Sequence, residues 1–281
     1  MIDRRQKLIE IFEDTQRFYA QNAQLANAVQ AAKAATKLYE ADDCSGELAA
    51  EGSECLVTVT KHKTFEAAMQ IHTEHPEWKI AVLNFASATS PGGGVKTGSS
   101  AQEESLCRCS TLYPTLAQDW LWQGYYQKNR DAQDNLHTDA CIYSPGVIIC
   151  KTDDSYPERM AEKDWVTVDV ISCAAPNLRQ RPGNLHNPEY GAAKKISPEE
   201  LYRLHLQRAK HILHVASVNG AEALILGAFG CGAFANDPHV VAKAYADVLK
   251  EYKGCFRHIE FAVYCRSDET VNYDAFKHAL E

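Results

Sequence analysis

Apolar positions recur at helical spacing in the first forty residues of the chain. One face of the predicted first helix carries Leu8, Ile11, Phe12, Thr15, Phe18 and Tyr19. An alanine-rich pattern predicts a second helix from about Leu25 to Tyr39. The polar stretch Asp42–Ser53 then predicts a loose connection to the rest of the chain.

Short apolar runs alternate with helical patterns in the remainder of the chain. The runs that are typical of strands are Cys55–Thr60, Lys79–Phe85, Trp165–Ala174, Ala223–Leu226 and Ile259–Tyr264. A turn at Ser144-Pro145-Gly146 is predicted to separate two further strands, Cys141–Tyr143 and Val147–Cys150. Helices are predicted from Phe65 to about Thr73, from about Ala101, from Ser197 to near Gly220, after Asp237-Pro238, and from about Tyr273 to Leu280. This alternation predicts a mixed sheet sandwiched between helices.

Several helix starts carry capping signals. Ser197-Pro198-Glu199-Glu200 combines a serine cap, a proline at the first position and a glutamate three residues after the serine. Thr64 and Asp237 are predicted to cap two other helices. Ser100 and Glu103 fit the spacing of a capping box, which would give Glu103 a purely structural role.

Composition is that of an ordinary globular protein, with 45% hydrophobic and 23% charged residues among 281. No apolar run approaches the roughly 18 residues that a membrane helix requires. The charged start of the chain predicts no secretory signal, so we expect a cytoplasmic location, or a nuclear one if the source is eukaryotic. The ten cysteines are scattered, and we expect reduced thiols and no metal site.

The charge balance limits the partners. A net charge of −8 argues against extensive binding of DNA or RNA. Positive charge is locally denser between Arg179 and Lys210. That segment is either a solvated loop and helix face or a rim that attracts phosphates to a cleft.

The first unusual loop follows the predicted strand Lys79–Phe85 and contains three consecutive glycines, Gly92–Gly94. Its bare backbone suits either close approach to a ligand or a plain turn. Glu103 and Glu104 follow at the start of the next helix. Adjacent helical residues point about 100° apart, so we expect one carboxylate to donate a proton and the other to orient a substrate.

The helix start bears on how Glu104 could act as an acid. The positive end of a helix lowers the pKa of a carboxylate. A nearby negative charge, from Glu103 or from a bound diphosphate, raises it. We therefore expect Glu104 to act as an acid only with substrate in place.

The second unusual loop, Gly227–Asn236, lies between a predicted strand and a predicted helix. This order brings backbone amides and a helix start together, an arrangement that binds phosphate. Its glycine spacing matches neither the dinucleotide fingerprint nor the P-loop. Phe229 and Phe234 are either core residues or, for one of them, a surface against a nucleoside diphosphate.

The two loops together carry a resemblance. Asn84-Phe85-Ala86-Ser87, the triple glycine and, seven residues later, Gln102-Glu103-Glu104 resemble the signature of bacterial-type poly(ADP-ribose) glycohydrolases. Gly230-Cys231-Gly232-Ala233-Phe234 resembles the diphosphate-binding loop of that family, and Ser172–Asn177 resembles one of its strand ends.

The resemblance implies one macrodomain-like unit over residues 1–281, with a helical extension at 1–50 and an α/β core at 51–281. It implies that Glu104 protonates the leaving ribose oxygen and then helps to activate water, while Glu103 holds ribose hydroxyls. No cofactor or metal is implied. The substrate-binding residues that it implies are Asn84, Gly92, Gly93, Gly94, Gln102, Gly230, Cys231, Gly232, Ala233 and Phe234.

The implied reaction is hydrolysis of ribose–ribose O-glycosidic bonds in poly(ADP-ribose). The acidic balance predicts action from polymer ends, with ADP-ribose as the main product. The resemblance implies poly(ADP-ribose) or ADP-ribose and ADP-ribosylated proteins as partners. Neighbouring carboxylates cannot flank a glycosidic bond, so we expect an oxocarbenium-like path with one acid/base. The alternatives are a mono-ADP-ribose or small-ester hydrolase and a non-catalytic ADP-ribose reader, and the presence of two adjacent carboxylates speaks against the reader.

Overall fold

A mixed seven-stranded sheet runs through the part of the chain that the computed structural model describes, namely residues 3–41, 43, 48, 54–183 and 191–281. The strand order is β1-β4-β5-β3-β6-β7-β2. The five strands from β5 to β2 in this order are parallel, and β4 and β1 complete the sheet as antiparallel strands. The strands are β1 (Lys37–Tyr39), β2 (Leu56–Thr60), β3 (Ile80–Phe85), β4 (Cys141–Ile149), β5 (Val166–Cys173), β6 (Ala223–Leu226) and β7 (His258–Ala262).

Helices cover both faces of this sheet, which confirms the predicted sandwich. They are α1 (Arg4–Gln21), α2 (Ala23–Ala35), α3 (Thr64–Glu74), α4 (Gln102–Cys109), α5 (Tyr113–Leu116), α6 (Asp119–Leu121), α7 (Gln127–Ala132), α8 (Pro198–Val218), α9 (Pro238–Tyr252) and α10 (Val271–Leu280). A π-helical segment at Trp122–Tyr126 joins α6 to α7. None of the helices in the described ranges is long and apolar enough to cross a membrane.

The central strand β3 shows why the sheet has two cores. Ala81 and Leu83 point into the core formed with α8, α9 and α10, whereas Ile80 and Val82 point into the core formed with α3 and α4. A strand with both faces buried is apolar without alternation, as this segment is. Its parallel neighbours β5 and β6 end beside it, with Phe85 opposite Cys173, so three strand ends meet at one edge of the sheet.

Two predicted boundaries were wrong because strand pairing overrides the local pattern. The second helix ends at Ala35, and Lys37–Tyr39 pairs with β4 as a strand. The predicted turn at Ser144-Pro145-Gly146 is a bulge within the single strand β4. The N–H of Gly146 donates to Asp169 on β5, which keeps the bulge in register with the sheet.

The predicted caps were confirmed at the starts of two helices and wrong at a third. Ser197 caps α8 by accepting from the N–H of Glu200, and Asp237 accepts from the N–H of His239 at the start of α9, as predicted. Thr64 is instead the first residue of α3. The proposed connection at Asp42–Ser53 lies almost entirely outside the described residues.

Candidate active site

A cleft of about 1210 Å³ lies over the carboxyl ends of β3, β5 and β6. The loop after β3 and the first turn of α4 form one wall, and the loop after β6 forms the opposite wall. The start of α1 and the segment after β5 also line it. Both glycine-rich loops identified in the sequence therefore face a single space.

The triple glycine brings the backbone against two carboxylates. Gly93 has a φ of +56°, and a Cβ on it would lie 2.6 Å from Oε1 of Glu104 and 3.0 Å from Oε2 of Glu103. The two carboxylates therefore converge on one point, although they are adjacent on a helix. A Cβ on Gly92 would meet the ring of Tyr113 at 2.8 Å, so Gly92 is buried below the cleft surface.

Both oxygens of Glu103 accept hydrogen bonds from the protein. The N–H of Ser87 donates to Oε2 at 2.7 Å, and the side-chain amide of Asn84 donates to Oε1 at 3.4 Å. Asn84 also donates to Oγ of Ser172 at 2.9 Å and is fully buried, so it lies behind Glu103 and not on the cleft surface. The capping box predicted for Ser100 and Glu103 is wrong: Ala101 is the N-cap residue, and the helix start has no side-chain cap.

Burial and a neighbouring charge favour the protonated form of Glu103. Burial raises the pKa of Glu103 well above its ordinary value of 4.5, and the charge of Glu104 raises it further. The hydrogen bond from Ser87 opposes this rise.

Glu104 is held on one side only. The N–H of Gly94 donates to its Oε1 at 2.8 Å, and its Oε2 has no hydrogen-bond partner among the described residues. One turn along α4, the Arg108 guanidinium donates to the carbonyl of Ser99 at 2.7 Å. Burial lowers the pKa of Arg108, and the charge of Glu104 opposes that change, so the two side chains interact electrostatically.

The side chain of Gln102 fastens α4 to the end of β3. Its oxygen accepts from the N–H of Phe85 at 2.8 Å, and its nitrogen donates to the carbonyl of Leu83 at 2.7 Å and to Oγ1 of Thr64 at 3.0 Å. Both amide donors are therefore used within the protein. Gln102 lines the cleft, and its amide fixes the direction from which Glu103 and Glu104 enter it.

The loop after β6 has backbone N–H groups that could bind a ligand. Gly232, Ala233 and Phe234 line the cleft, and their N–H groups find no acceptor within the described ranges. Consecutive amides beside a helix start form an anion-binding site, and α9 begins four residues after Phe234. Gly230 has a φ of +80°, and Cys231 is half-buried with Sγ directed at the carbonyl of Phe229.

Asn236 fixes the shape of this loop and was missed by sequence reasoning. It is 2% exposed, and its amide nitrogen donates to the carbonyls of Pro176, Gly230 and Phe234. Its oxygen contacts Nε2 of His205 at 2.8 Å. One side chain thus ties the loop after β6 to the segment after β5, and no local signal in the sequence marks it.

The two phenylalanines of the loop have different places. Phe229 is fully buried in the core, whereas Phe234 is half-buried at the cleft. The guanidinium of Arg179 lies 5.5 Å from the ring centre of Phe234, and the ring of His137 lies 6.3 Å away. Burial lowers the pKa of His137 to about 3, so this ring is neutral near pH 7.

As far as the structure describes it, the basic segment between Arg179 and Lys210 does not form a continuous rim. Arg179 lines the cleft, but Arg208 is fully buried and donates to Oδ1 of Asp139 and to the carbonyl of Ala174. Lys210 forms a surface ion pair with Glu251. Both interpretations of the segment were therefore wrong for Arg208, whose partners are distant in sequence.

The fold and the cleft define a class: a macrodomain-like α/β protein whose cleft is lined by a carboxylate pair and by a glycine-rich loop with free backbone amides. Such a cleft suits proton transfer to a bond in a bound nucleotide. Among the described residues, no group of three or more His, Cys, Asp or Glu side chains is placed to hold a metal ion.

Comparison with known proteins identifies the family of this chain. The model of the microbial-type PARG catalytic domain matches residues 6–152. Poly(ADP-ribose) glycohydrolase (PARG) from Thermomonospora curvata is 31% identical, with a TM-score of 0.81 over 97% of this chain and 98% of that chain. The chain belongs to the microbial-type PARG family and is a glycosidase of the poly(ADP-ribose) glycohydrolase class.

Two solved structures of related enzymes with bound ligands are also similar to this chain. The Thermomonospora curvata enzyme bound to the inhibitor ADP-HPD is 30% identical, with a TM-score of 0.78 over 96% of this chain and 98% of that chain. The Deinococcus radiodurans enzyme in complex with ADP-ribose is 31% identical, with a TM-score of 0.71 over 90% of this chain and 96% of that chain. No curated protein sequence matches the chain.

Proposed function

We propose that this chain hydrolyses the ribose–ribose O-glycosidic bonds of poly(ADP-ribose) with Glu104 as the acid and base. Family membership supports the reaction. The observation that carries the assignment to Glu104 is the hydrogen bonding of the pair. Both oxygens of Glu103 accept from the protein, whereas Oε2 of Glu104 has no partner among the described residues.

The cleft has a place for each part of an ADP-ribose unit. The amides of Gly232, Ala233 and Phe234 suit the diphosphate, and the half-buried ring of Phe234 suits the distal ribose. This distal ribose carries the scissile bond. We place it above Gly93, where both carboxylates meet. The complexes of the similar enzymes with ADP-ribose and with ADP-HPD support the binding of such a ligand by this chain.

Proton transfer by Glu104 accounts for both halves of the reaction. Its carboxylic acid protonates the leaving ribose oxygen as the bond from that oxygen to the anomeric carbon breaks, and the bonding electrons leave with the oxygen. The positive charge that develops on the sugar is stabilised by the nearby diphosphate. Water then adds to the anomeric carbon and gives a proton to the Glu104 carboxylate, which restores the acid.

Glu103 has a positioning part in this scheme. Its raised pKa favours the protonated carboxyl. Its side chain is held by Ser87 and Asn84 within the wall, where it can bind ribose hydroxyls. We assign Asn84 and Gln102 to supporting these carboxylates, because their amide groups contact protein atoms.

The extension and the core act as one unit in this proposal. On α1, Thr15 donates to the carbonyl of Arg108 on α4 at 2.6 Å, and the ring of Phe12 packs on Tyr113. The helix that carries the carboxylates is therefore stabilised by α1 of the extension. We treat residues 1–281 as a single catalytic unit for this reason.

The decisive variant is Glu104→Gln, with Glu103→Gln and wild type alongside it. Each protein is incubated with poly(ADP-ribose), and free ADP-ribose is measured. We expect Glu104→Gln to lose roughly 10²–10⁴-fold in kcat, the usual contribution of positioned proton transfer. Binding of ADP-ribose, measured by calorimetry, is expected to remain. Hydrolysis near the wild-type rate would contradict the assignment.

Product size tests where the enzyme acts. We propose action mainly from polymer ends, because a chain with a net charge of −8 is poorly suited to tracking along a polyanion. Chromatography of the earliest products is expected to show ADP-ribose, whereas abundant long oligomers would contradict this part. Mono-ADP-ribosylated protein, assayed in parallel, separates the polymer-degrading activity from the mono-ADP-ribose alternative.

A further inference from the structure

Three arginines line the cleft at the end where α1 begins. Arg4 and Arg5 lie in the first turn of α1, and Arg108 lies one turn beyond Glu104 on α4. The anion-binding amides of Gly232–Phe234 belong to a loop anchored on the segment after β5. The cleft therefore carries positive charge at a second place, which the proposed binding of one ADP-ribose unit does not use.

The contacts order these groups along the cleft. Glu103 faces Ser87 at the end of β3, whereas Glu104 faces Gly94 and lies on the side of Arg108. The start of α1 follows beyond them, since a Cβ on Gly98 would lie 2.5 Å from the carbonyl oxygen of Arg5. The arginines therefore lie on the side of Glu104 and the α1 start, whereas the loop after β6 is anchored on the segment after β5.

The guanidinium groups of Arg4 and Arg108 are within electrostatic range. The charge of Arg4 contributes to lowering the pKa of Arg108. Arg108 is 2% exposed and uses a single donor, toward the carbonyl of Ser99, among the hydrogen bonds of the described residues. A guanidinium has five donors, so Arg108 retains capacity for an anion in the cleft.

Arg4 and Arg5 are unfavourably placed for the helix itself. The positive end of a helix disfavours cations, and the first turn of α1 contains no acidic residue. Within the described ranges neither arginine forms an ion pair, whereas Lys7 and Arg17 on the same helix each contact a glutamate. Two unpaired cations beside a buried arginine indicate a site for a bound anion.

We propose that Arg4, Arg5 and Arg108 form a second phosphate subsite, which holds the diphosphate of the ADP-ribose unit on the leaving side of the scissile bond. The inference rests on the proposed function. Every unit of the polymer carries a diphosphate, and the unit being cleaved places its own on the loop after β6. An anion beyond Glu104 must therefore belong to the next unit.

The subsite gives the helical extension a role in choosing the substrate. A polymer offers a second diphosphate, whereas a single ADP-ribose on a protein does not. Contacts with that diphosphate lower KM for polymer and leave the affinity for the product ADP-ribose unchanged, because free ADP-ribose fills the other side. The local charge also explains how a protein with a net charge of −8 receives a polyanion.

The test compares two double variants that remove the same charge from α1. The test variant is Arg4→Gln with Arg5→Gln, and the matched control is Lys7→Gln with Arg17→Gln, whose side chains do not line the cleft. For the test variant we expect KM for poly(ADP-ribose) to rise roughly tenfold, the size expected for losing two partly exposed phosphate contacts. The salt dependence of KM should become shallower. The control should match wild type.

A charge reversal, Arg4→Glu with Arg5→Glu, extends the test. Acidic residues stabilise a helix start, so this protein is expected to fold while KM for polymer rises further. Calorimetry should give the wild-type affinity for ADP-ribose in every variant. Equal KM values for test and control, or an equal loss of ADP-ribose affinity, would overturn the subsite. A wild-type protein that fails to release ADP-ribose would instead overturn the proposed function.

Discussion

The two glycine-rich loops of the cleft differ at Gly93 and Gly232, although a Cβ on Gly230 in the second loop would also collide, with Ala175 at 2.7 Å. In the loop after β3, a Cβ on Gly92 or Gly93 would collide with a side chain of the protein. In the loop after β6, a Cβ on Gly232 would meet no atom within 4 Å. The first loop is closed around the enzyme's own carboxylates, and the second is open toward a ligand.

Their backbone amides differ in the same way. The N–H of Gly93 donates to the carbonyl of Ser90, and that of Gly94 donates to Glu104. The N–H groups of Gly232 and Ala233 have no acceptor among the described residues. A glycine-rich sequence therefore does not by itself identify a ligand-binding loop. The loop can bind a ligand through its backbone only if its N–H groups do not already donate to other atoms of the protein.

Among the changes that test this difference between the loops, the largest effect is expected from Gly93→Ala. The new methyl group would lie 2.6 Å from Oε1 of Glu104, at a backbone φ of +56° that alanine resists. Displacing the carboxylate pair by about an ångström is expected to lower kcat by roughly 10²-fold. Steady-state kinetics on poly(ADP-ribose) measure this.

Gly232→Ala is the matched change in the open loop. Its methyl group meets open space, and the N–H is kept, so we expect a much smaller loss that is confined to ADP-ribose binding. Losses of similar size in kcat for the two variants would show that the loops do not differ in the way the contacts indicate.

A smaller effect, on stability, is expected from Glu103→Gln. The pKa of Glu103 is raised in the folded protein, so above its ordinary value of 4.5 the folded state binds more protons than the unfolded state. The stability contributed by the protonated carboxyl is present below pH 4.5 and is lost as the pH rises through the raised pKa. Glutamine cannot ionise and avoids that loss.

The melting temperature checks this expectation. Glu103→Gln should exceed wild type in Tm near pH 8 and approach it near pH 4.5, with about 2–4 °C gained for each kcal/mol recovered. A difference that stays constant across this pH range would mean that the carboxylate pair is not the source. The activity of the wild-type enzyme should fall on the alkaline side as Glu103 loses its proton.

Sequence reasoning reached the architecture because the signals are local. Apolar runs marked the buried strands β3 and β6, and the cap at Ser197 marked the start of α8. The triple glycine with Gln-Glu-Glu was specific enough to indicate the family. The same motif predicted that Glu104 lies in a cleft. It did not predict the hydrogen bonds that distinguish Glu104 from Glu103.

By itself, the sequence determined which segments form strands and helices and which motifs the chain carries, since neighbouring residues encode those features. Only the tertiary structure decided that Ser87 and Asn84 hold Glu103, that Asn236 shapes the second loop and that Arg208 is buried. These contacts join residues far apart in the chain, as between Thr15 and Arg108, which are 93 positions apart. Their geometry follows from how helices pack on the sheet, which no local pattern records.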